Sequence, residues 1–302
     1  MRLLRALRTL ASQTRPVRIV VIDNGSTDGS VEAARSEIAE LEVVKLTQNV
    51  GFGSAINLGV RERPSEILIF LNDDVECEDT FVEAMLDQLA PDVDMVAGVL
   101  LEQQGDAIDS AGIVVDRALL AFDYLHGERI DVLPNAPAPL GPTGGAALVR
   151  AAAFTGVGGF DDRIFAYQED VDLVLRLRCA GATCRLARYA RAVHAHSATL
   201  GSGSAKKNWH MGWSRGYLLR RYGVLSQPGR AARAVAADTV ICTGQALLDR
   251  TLTGVLGRIH GWRAAANLPR LQLPEQDLTE ISLRQALSWR SRRRRMPWQR
   301  AA

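Results

Sequence analysis

Apolar and polar positions change period repeatedly along the first third of the chain, and those changes outline the architecture. Leu3 to Ser12 repeats its apolar positions at helical spacing, whereas Val17-Arg18-Ile19-Val20-Val21-Ile22 is a short β-branched run of strand character. The turn Asp23-Asn24-Gly25-Ser26-Thr27-Asp28-Gly29-Ser30 ends in helix-capping residues and predicts a helix from about Ser30 to Glu40. A second apolar run covers 41–46, Asn49-Val50-Gly51-Phe52-Gly53 reads as a loop, and a helix follows over 54–63. Ile67-Leu68-Ile69-Phe70-Leu71 is a third strand, 81–89 a helix and 95–101 another strand. Strands alternating with helices predict an α/β fold with a mostly parallel sheet flanked by helices. Ligands of such sheets bind beyond the carboxyl ends of the strands.

The second half is less regular. Residues 102–140 are rich in Gly and Pro, and read either as a mobile loop over a site or as an inert surface excursion. An apolar strand returns within 141–150, where Gly144 and Gly145 permit close backbone approach. From Phe165 to Arg178, carboxylates alternate with Leu and Val at helical spacing. Beyond about Arg220 the pattern is Ala- and Arg-rich and helical, broken at Pro228, Pro269 and Pro274. Two acidic segments carry candidate chemistry. Leu71-Asn72-Asp73-Asp74-Val75 ends a strand with adjacent like charges, which calls for compensation by a cation or by hydrogen-bond donors. Mg2+ and Mn2+ take oxygen ligands and share them with substrate phosphates. Tyr167-Gln168-Glu169-Asp170-Val171-Asp172 opens a helix, where one carboxylate could act as general base toward a hydroxyl. His194, in Val193-His194-Ala195-His196, could complete a metal site with Asp74. Each segment also has a plain structural reading, as a turn, a capped helix or a solvated histidine.

Composition narrows the class. The 302 residues are 47% hydrophobic and 23% charged with a net charge of +2, an ordinary globular balance that gives no support for nucleic-acid binding. Acidic residues concentrate before about residue 175 and arginines after it. Four cysteines without CxxC spacing argue against a zinc site or a disulfide framework and fit a reducing cytoplasm. No stretch reaches the roughly 20 apolar residues of a membrane span.

In order and spacing, these segments resemble the family-2 glycosyltransferases, within them the rhamnosyltransferase-like group of bacterial cell-envelope assembly. The carrying residues are Asp23 to Ser30, Asn49-Val50-Gly51-Phe52-Gly53 with Asn57, Leu71-Asn72-Asp73-Asp74, Thr143-Gly144-Gly145-Ala146, Phe160 to Arg176, and His194 followed by Arg215. The resemblance covers roughly residues 5–222. It implies a GT-A fold over 1–222, with a nucleotide-sugar half at about 1–101 and an acceptor half at about 141–222. It further implies inverting transfer of a sugar, with rhamnose from dTDP-rhamnose the candidate, onto a glycan or lipid-linked acceptor, with Mg2+ or Mn2+. By position, Asp23, Asn24, Ser26, Asn49, Gly51, Asn57, Asn72 and Asp73 would hold the donor, Asp23 at its base. Asp74 and His194 would bind the metal, Asp170 rather than Glu169 would be the base, and Gly144 and Gly145 would border the acceptor. Relatives usually open with an apolar strand beside the one ending at Asp23. Here that strand is missing, and an upstream start encoding it is the expectation. The alternatives are a catalytically inactive glycan- or nucleotide-binding relative and a nucleotidyltransferase. Residues 223–302 form a helical appendage whose tail, Trp289 to Arg300, joins Arg to Trp and suits peripheral contact with the inner face of the cell membrane.

Overall fold

The computed structural model describes residues 2–38, 41–103, 106–194 and 204–282. Helix α1 (Arg2–Ala11) leads to strand β1 (Val20–Asp23), α2 (Ser30–Glu37), β2 (Glu42–Lys45), α3 (Phe52–Glu62), β3 (Ile67–Leu71), β4 (Val75–Cys77) and α4 (Phe81–Leu86). Then come β5 (Met95–Glu102), β6 (Ile108–Ser110), β7 (Ile113–Val115), β8 (Ala121–Asp123), β9 (Ala146–Arg150), α5 (Ala151–Gly156), α6 (Glu169–Cys179) and β10 (Cys184–His194). Helices α7 (Ala205–Arg221), α8 (Pro228–Leu248) and α9 (Thr253–Ala264) close the order. Among the described residues, no helix is long and apolar enough to cross a membrane.

The central sheet runs β3-β9-β5-β10-β4, with β6 paired to β5. Its middle strand, Met95-Val-Ala-Gly-Val-Leu-Leu, is apolar throughout because both of its faces are covered, and all but its last residue is buried. The expected mostly parallel pairing is corrected here. In this sheet only β5 and β10 pair in parallel, while β9 inserts antiparallel between β3 and β5. The cause lies in 102–140, which is neither a loose loop nor wholly irregular: it carries β6 to β8 and returns the chain in the opposite direction as β9. Strands β3, β5 and β10 still share one direction, so their carboxyl ends open on one side.

Strands β1 and β2 form a separate parallel pair. Val20 to Ile22 on one side and Ile67 to Leu71 on the other face one cavity of about 2460 Å³, with no ladder hydrogen bonds between them. Helix α1 is held below the sheet by Gln13, which donates to the Glu78 carbonyl at 2.8 Å and accepts from the Val82 amide at 2.9 Å.

The helical appendage is sewn to the sheet by buried charge. Arg215 of α7 is 2% exposed and donates to the carbonyls of Ala118 and Leu119 at 2.7 and 2.9 Å, and to Asp238 of α8 at 3.1 Å. Arg258 of α9 donates to the same Asp238 at 2.9 Å, and Arg233 meets the buried Asp116 at 2.7 Å. His196 and the Trp289–Arg300 tail lie outside the described residues. Removing one partner from a buried ion pair strands the other charge. Asp238→Ala should therefore cost about 3–5 kcal/mol in urea unfolding. Combining it with Arg215→Leu should recover part of that loss, and strictly additive losses would refute the coupling.

Candidate active site

Three strand ends and two helix starts converge on the cleft. The turn after β1 and the loop before α3 are locked together by side-chain amides. Asn24 donates to Asn49 Oδ1 and to the Gly51 carbonyl, both at 3.1 Å, and accepts from the Val50 amide at 2.9 Å. Asn49 also accepts from the Gly51 amide at 2.9 Å. Asp23 is buried and accepts from the Ser26 amide at 2.8 Å, closing its own turn while lining the cleft. Gly51 has φ 93°, and a Cβ there would collide with the Phe165 carbonyl. A side chain at this position would push the donor-side loop off the segment that precedes α6.

Asn57 is a correction. It does not line the cleft: its amide donates to the Phe160 carbonyl and to Asp162, and accepts from the Phe160 amide, each at 2.9 Å. It fastens α3 to the Gly158-Gly159-Phe160 turn, because an Asn on the inner face of a helix satisfies whatever backbone packs against it.

Asn72, Asp73 and Asp74 line the floor of the cleft. Desolvation, and then the charge of Asp74, hold the Asp73 carboxyl above its ordinary value. Asp74 is 5% exposed and stands 3.3 Å from His194 Nε2, while His194 Nδ1 meets Asp109 Oδ2 at 2.8 Å. The hydrogen bond to Asp109, and then that to Asp74, raise the imidazole to about 9. Asp109, on β6, and the neighbouring Asp123 and His126 were not foreseen, since they sit in the Gly- and Pro-rich excursion. The charges of Asp109 and Asp170 push the exposed Asp123 carboxyl above its ordinary value.

Across the cleft, α6 begins after two consecutive left-handed residues, Tyr167 (φ 65°) and Gln168 (φ 64°). Neither is glycine, and such conformations concentrate strain at functional sites. The kink sets both following carboxylates against the cavity. Asp170 Oδ2 accepts from the Gly144 amide at 3.0 Å and from Thr143 at 3.4 Å, and Oδ1 accepts from the Val171 amide at 2.8 Å. Gly144 and Gly145 both line the cleft, and a Cβ on Gly145 would press on the Asn72 amide at 3.2 Å. Glu169 has a buried oxygen without a hydrogen-bond partner, and burial, then Asp170, raise its carboxyl to about 8. Lys206 and Lys207, at the start of α7, line the opposite rim, with Lys207 5.4 Å from the Tyr167 ring centre. Ser204 caps this helix by accepting from the Lys207 amide at 3.2 Å, a local start signal of the kind a sequence carries.

Among the described residues, no three His, Cys, Asp or Glu side chains form a ready metal cage. Asp74 and His194 nevertheless fit a shared cation: their facing atoms are as far apart as neighbouring ligands on one ion, and Asp109 grips the other imidazole nitrogen as metal-bound histidines require. Substrate oxygens would supply the remaining positions.

A sheet tip with one cation-ready carboxylate and a second carboxylate pair across an open cleft is the arrangement of a group-transfer enzyme fold. Residues 2–110 match the model of the glycosyl transferase family 2, so this part of the chain carries a family-2 domain. It is 30% identical over 203 residues to the N-acetylglucosaminyl-diphospho-decaprenol L-rhamnosyltransferase of Mycobacterium tuberculosis, covering 59% of this chain and 66% of that protein. It is 28% identical over 218 residues to the pre-mycofactocin glycosyltransferase of the same organism, covering 68% of this chain and 43% of that one. The chain thus spans less than two thirds of each relative. The fold is GT-A: the crystal structure of GalNAc-T7 with UDP, GalNAc and Mn2+ superposes with a TM-score of 0.58 at 13% identity, covering 89% of this chain and 51% of that one.

Glu169 ties stability to pH. Its carboxyl is raised in the folded state, so folding favours the protonated form. The stability this confers is present below the ordinary glutamate value of 4.5 and is lost as pH rises through about 8. Glu169→Gln should therefore raise the melting temperature at pH 9, by a gain on the order of 2 kcal/mol, and leave it nearly unchanged at pH 4. Equal gains at both pH values in a calorimetric scan would contradict the burial of this charge.

Proposed function

We propose that the protein transfers a sugar from a nucleotide-sugar donor to a hydroxyl of a cell-envelope glycan or its lipid-linked precursor, with inversion at the anomeric carbon. The observation that carries this reading is the opposition of two separately organised carboxylate groups across one cleft, Asp74 with His194 and Asp109 on one side, Asp170 and Glu169 on the other. Direct displacement needs those two functions and no more: one end stabilises the departing diphosphate, the other accepts the proton of the attacking hydroxyl. A similarity to a protein described as an L-rhamnosyltransferase supports rhamnose as the sugar, with dTDP-rhamnose as donor, and a polyprenyl-linked acceptor.

In this reading Asp23 and Ser26 meet the base and ribose side of the donor. Asn24, Asn49 and Gly51 hold the shape of that pocket, and Asn72 and Asp73 border the sugar. Asp74 and His194 would hold Mg2+ or Mn2+, which when bound supplies positive charge to the diphosphate. Lys206 and Lys207 add fixed positive charge on the opposite rim. Asp170 is the base: three donors fix its carboxylate, yet it keeps lone pairs for an incoming hydroxyl. The same hydrogen bond ties the base to the Gly144-Gly145 wall, so the acceptor surface and the proton acceptor are set together.

Asp170→Asn should reduce sugar transfer by at least about a hundredfold while leaving nucleoside-diphosphate binding intact. Retention of full turnover would remove Asp170 as the base, and loss of nucleotide binding would make it structural. Asp109→Asn should weaken Mn2+ binding about 10- to 100-fold in calorimetric titration with nucleoside diphosphate, through the loosened His194. Unchanged Mn2+ affinity would exclude the Asp74–His194 pair as the cation site.

A further inference from the structure

The α8–α9 hairpin turns the usual distribution of side chains inside out. Its small residues face inward: a Cβ added at Gly257 or Gly261 would collide with the backbone of α7 at Trp209 or Trp213, and one at Gly212 or Gly216 of α7 would collide with the backbone of α9. Its large apolar residues face outward, with Leu247 73%, Leu248 85%, Leu252 64% and Leu256 52% exposed, flanked by Val240, Val255 and Ile259. Helices joined backbone to backbone through glycines, with leucines left outside, are the pattern of segments whose surroundings are themselves apolar. The two acidic side chains of the hairpin are paired rather than left open on this face. Asp238 is taken up by Arg215 and Arg258, and Asp249 accepts from Asn208 at 2.8 Å.

The surrounding charge selects the occupant. From Ala205 to Pro274 the chain has eleven Lys and Arg residues and two acidic ones; Arg215 and Arg258 are paired with Asp238, Arg233 with Asp116 and Arg230 with Glu275, while Lys206, Arg250 and Arg263 stand exposed. A second copy of the chain would bring the same positive field against itself, whereas an anionic headgroup layer complements it. The tip of the hairpin also adjoins the mouth of the cleft. Thr253 donates to the Ala205 carbonyl at 2.8 Å and Gln245 to Asn208 at 3.1 Å, next to Lys206 and Lys207 on the rim.

We propose that the outer face of the α8–α9 hairpin, centred on Leu247, Leu248, Leu252 and Leu256, seats in the headgroup region of an anionic bilayer and holds the mouth of the cleft at the membrane surface. The apolar side chains supply the burial, and Lys206, Lys207, Arg250 and Arg263 supply the attraction to anionic lipid. The docking stands independently of which sugar is transferred.

The test uses the full chain with vesicles of phosphatidylglycerol and phosphatidylcholine, and with phosphatidylcholine alone. Co-sedimentation should favour the anionic vesicles. The triple variant Leu247→Ser/Leu248→Ser/Leu252→Ser should lower partitioning about tenfold or more with an unchanged melting temperature. Hydrogen exchange of the unsubstituted chain should show vesicle-dependent protection concentrated in residues 245–256. Equal partitioning of the triple variant, or binding without protection of 245–256, would overturn the proposal. So would binding that depends on the basic tail alone, read from Arg293→Ser/Arg294→Ser. A lipid-free dimer dissolved by the leucine substitutions would assign the face to a second copy instead.

Discussion

One imidazolium holds the cleft together. His194, at the end of β10, lies between Asp74 after β3 and Asp109 on β6, two carboxylates buried in the wall of the cleft that gain from a shared positive partner. The three residues come from three parts of the chain, and no ladder hydrogen bond links β3 to β6. The same contact therefore closes the far end of the sheet and aims the Asp74 carboxylate into the cavity. A cation arriving at Asp74 would take over part of the task that the histidine proton performs without it, so folding and loading draw on the same charges.

Much of this was legible in the residues, for definable reasons. The three strand tips could be read because apolar runs ending in polar turns are local signals, and β3 matches its expected bounds, Ile67 to Leu71. Asp74, His194 and Asp170 could be named as candidates because their neighbours carry a recognisable order, and all three line the cleft. The order of strands in the sheet could not, since the reversal that makes β9 antiparallel depends on contacts far apart in sequence. Asp109 stayed hidden for the same reason: its partner is His194, eighty-five positions away. Asn57 shows the converse. Its place in a motif suggested a ligand, but a motif records that a residue is needed, not which surface it serves, and here it serves the packing of α3.

The appendage is the least conventional part of the chain. It is joined to the rest of the chain by apolar packing, with Ala234, Ala265 and Leu278 buried in the main core, and by charge, with Asp116 buried under Arg233, Asp238 under Arg215, and Asp277 paired with Arg178. Ion pairs of this kind contribute little net stability compared with apolar packing but penalise every alternative arrangement. That trade suits a module whose apolar side chains are needed elsewhere, on the outer face of α8 and α9.

The contact between Gly51 and the Phe165 carbonyl has a consequence for how such a protein can change over time. At Gly51 the loop before α3 meets the segment before α6 main chain to main chain, so the span from that loop to Asp170 is set there by peptide geometry. Exchanges among the side chains that line the cavity leave that span as it is, whereas any side chain at position 51 would change it.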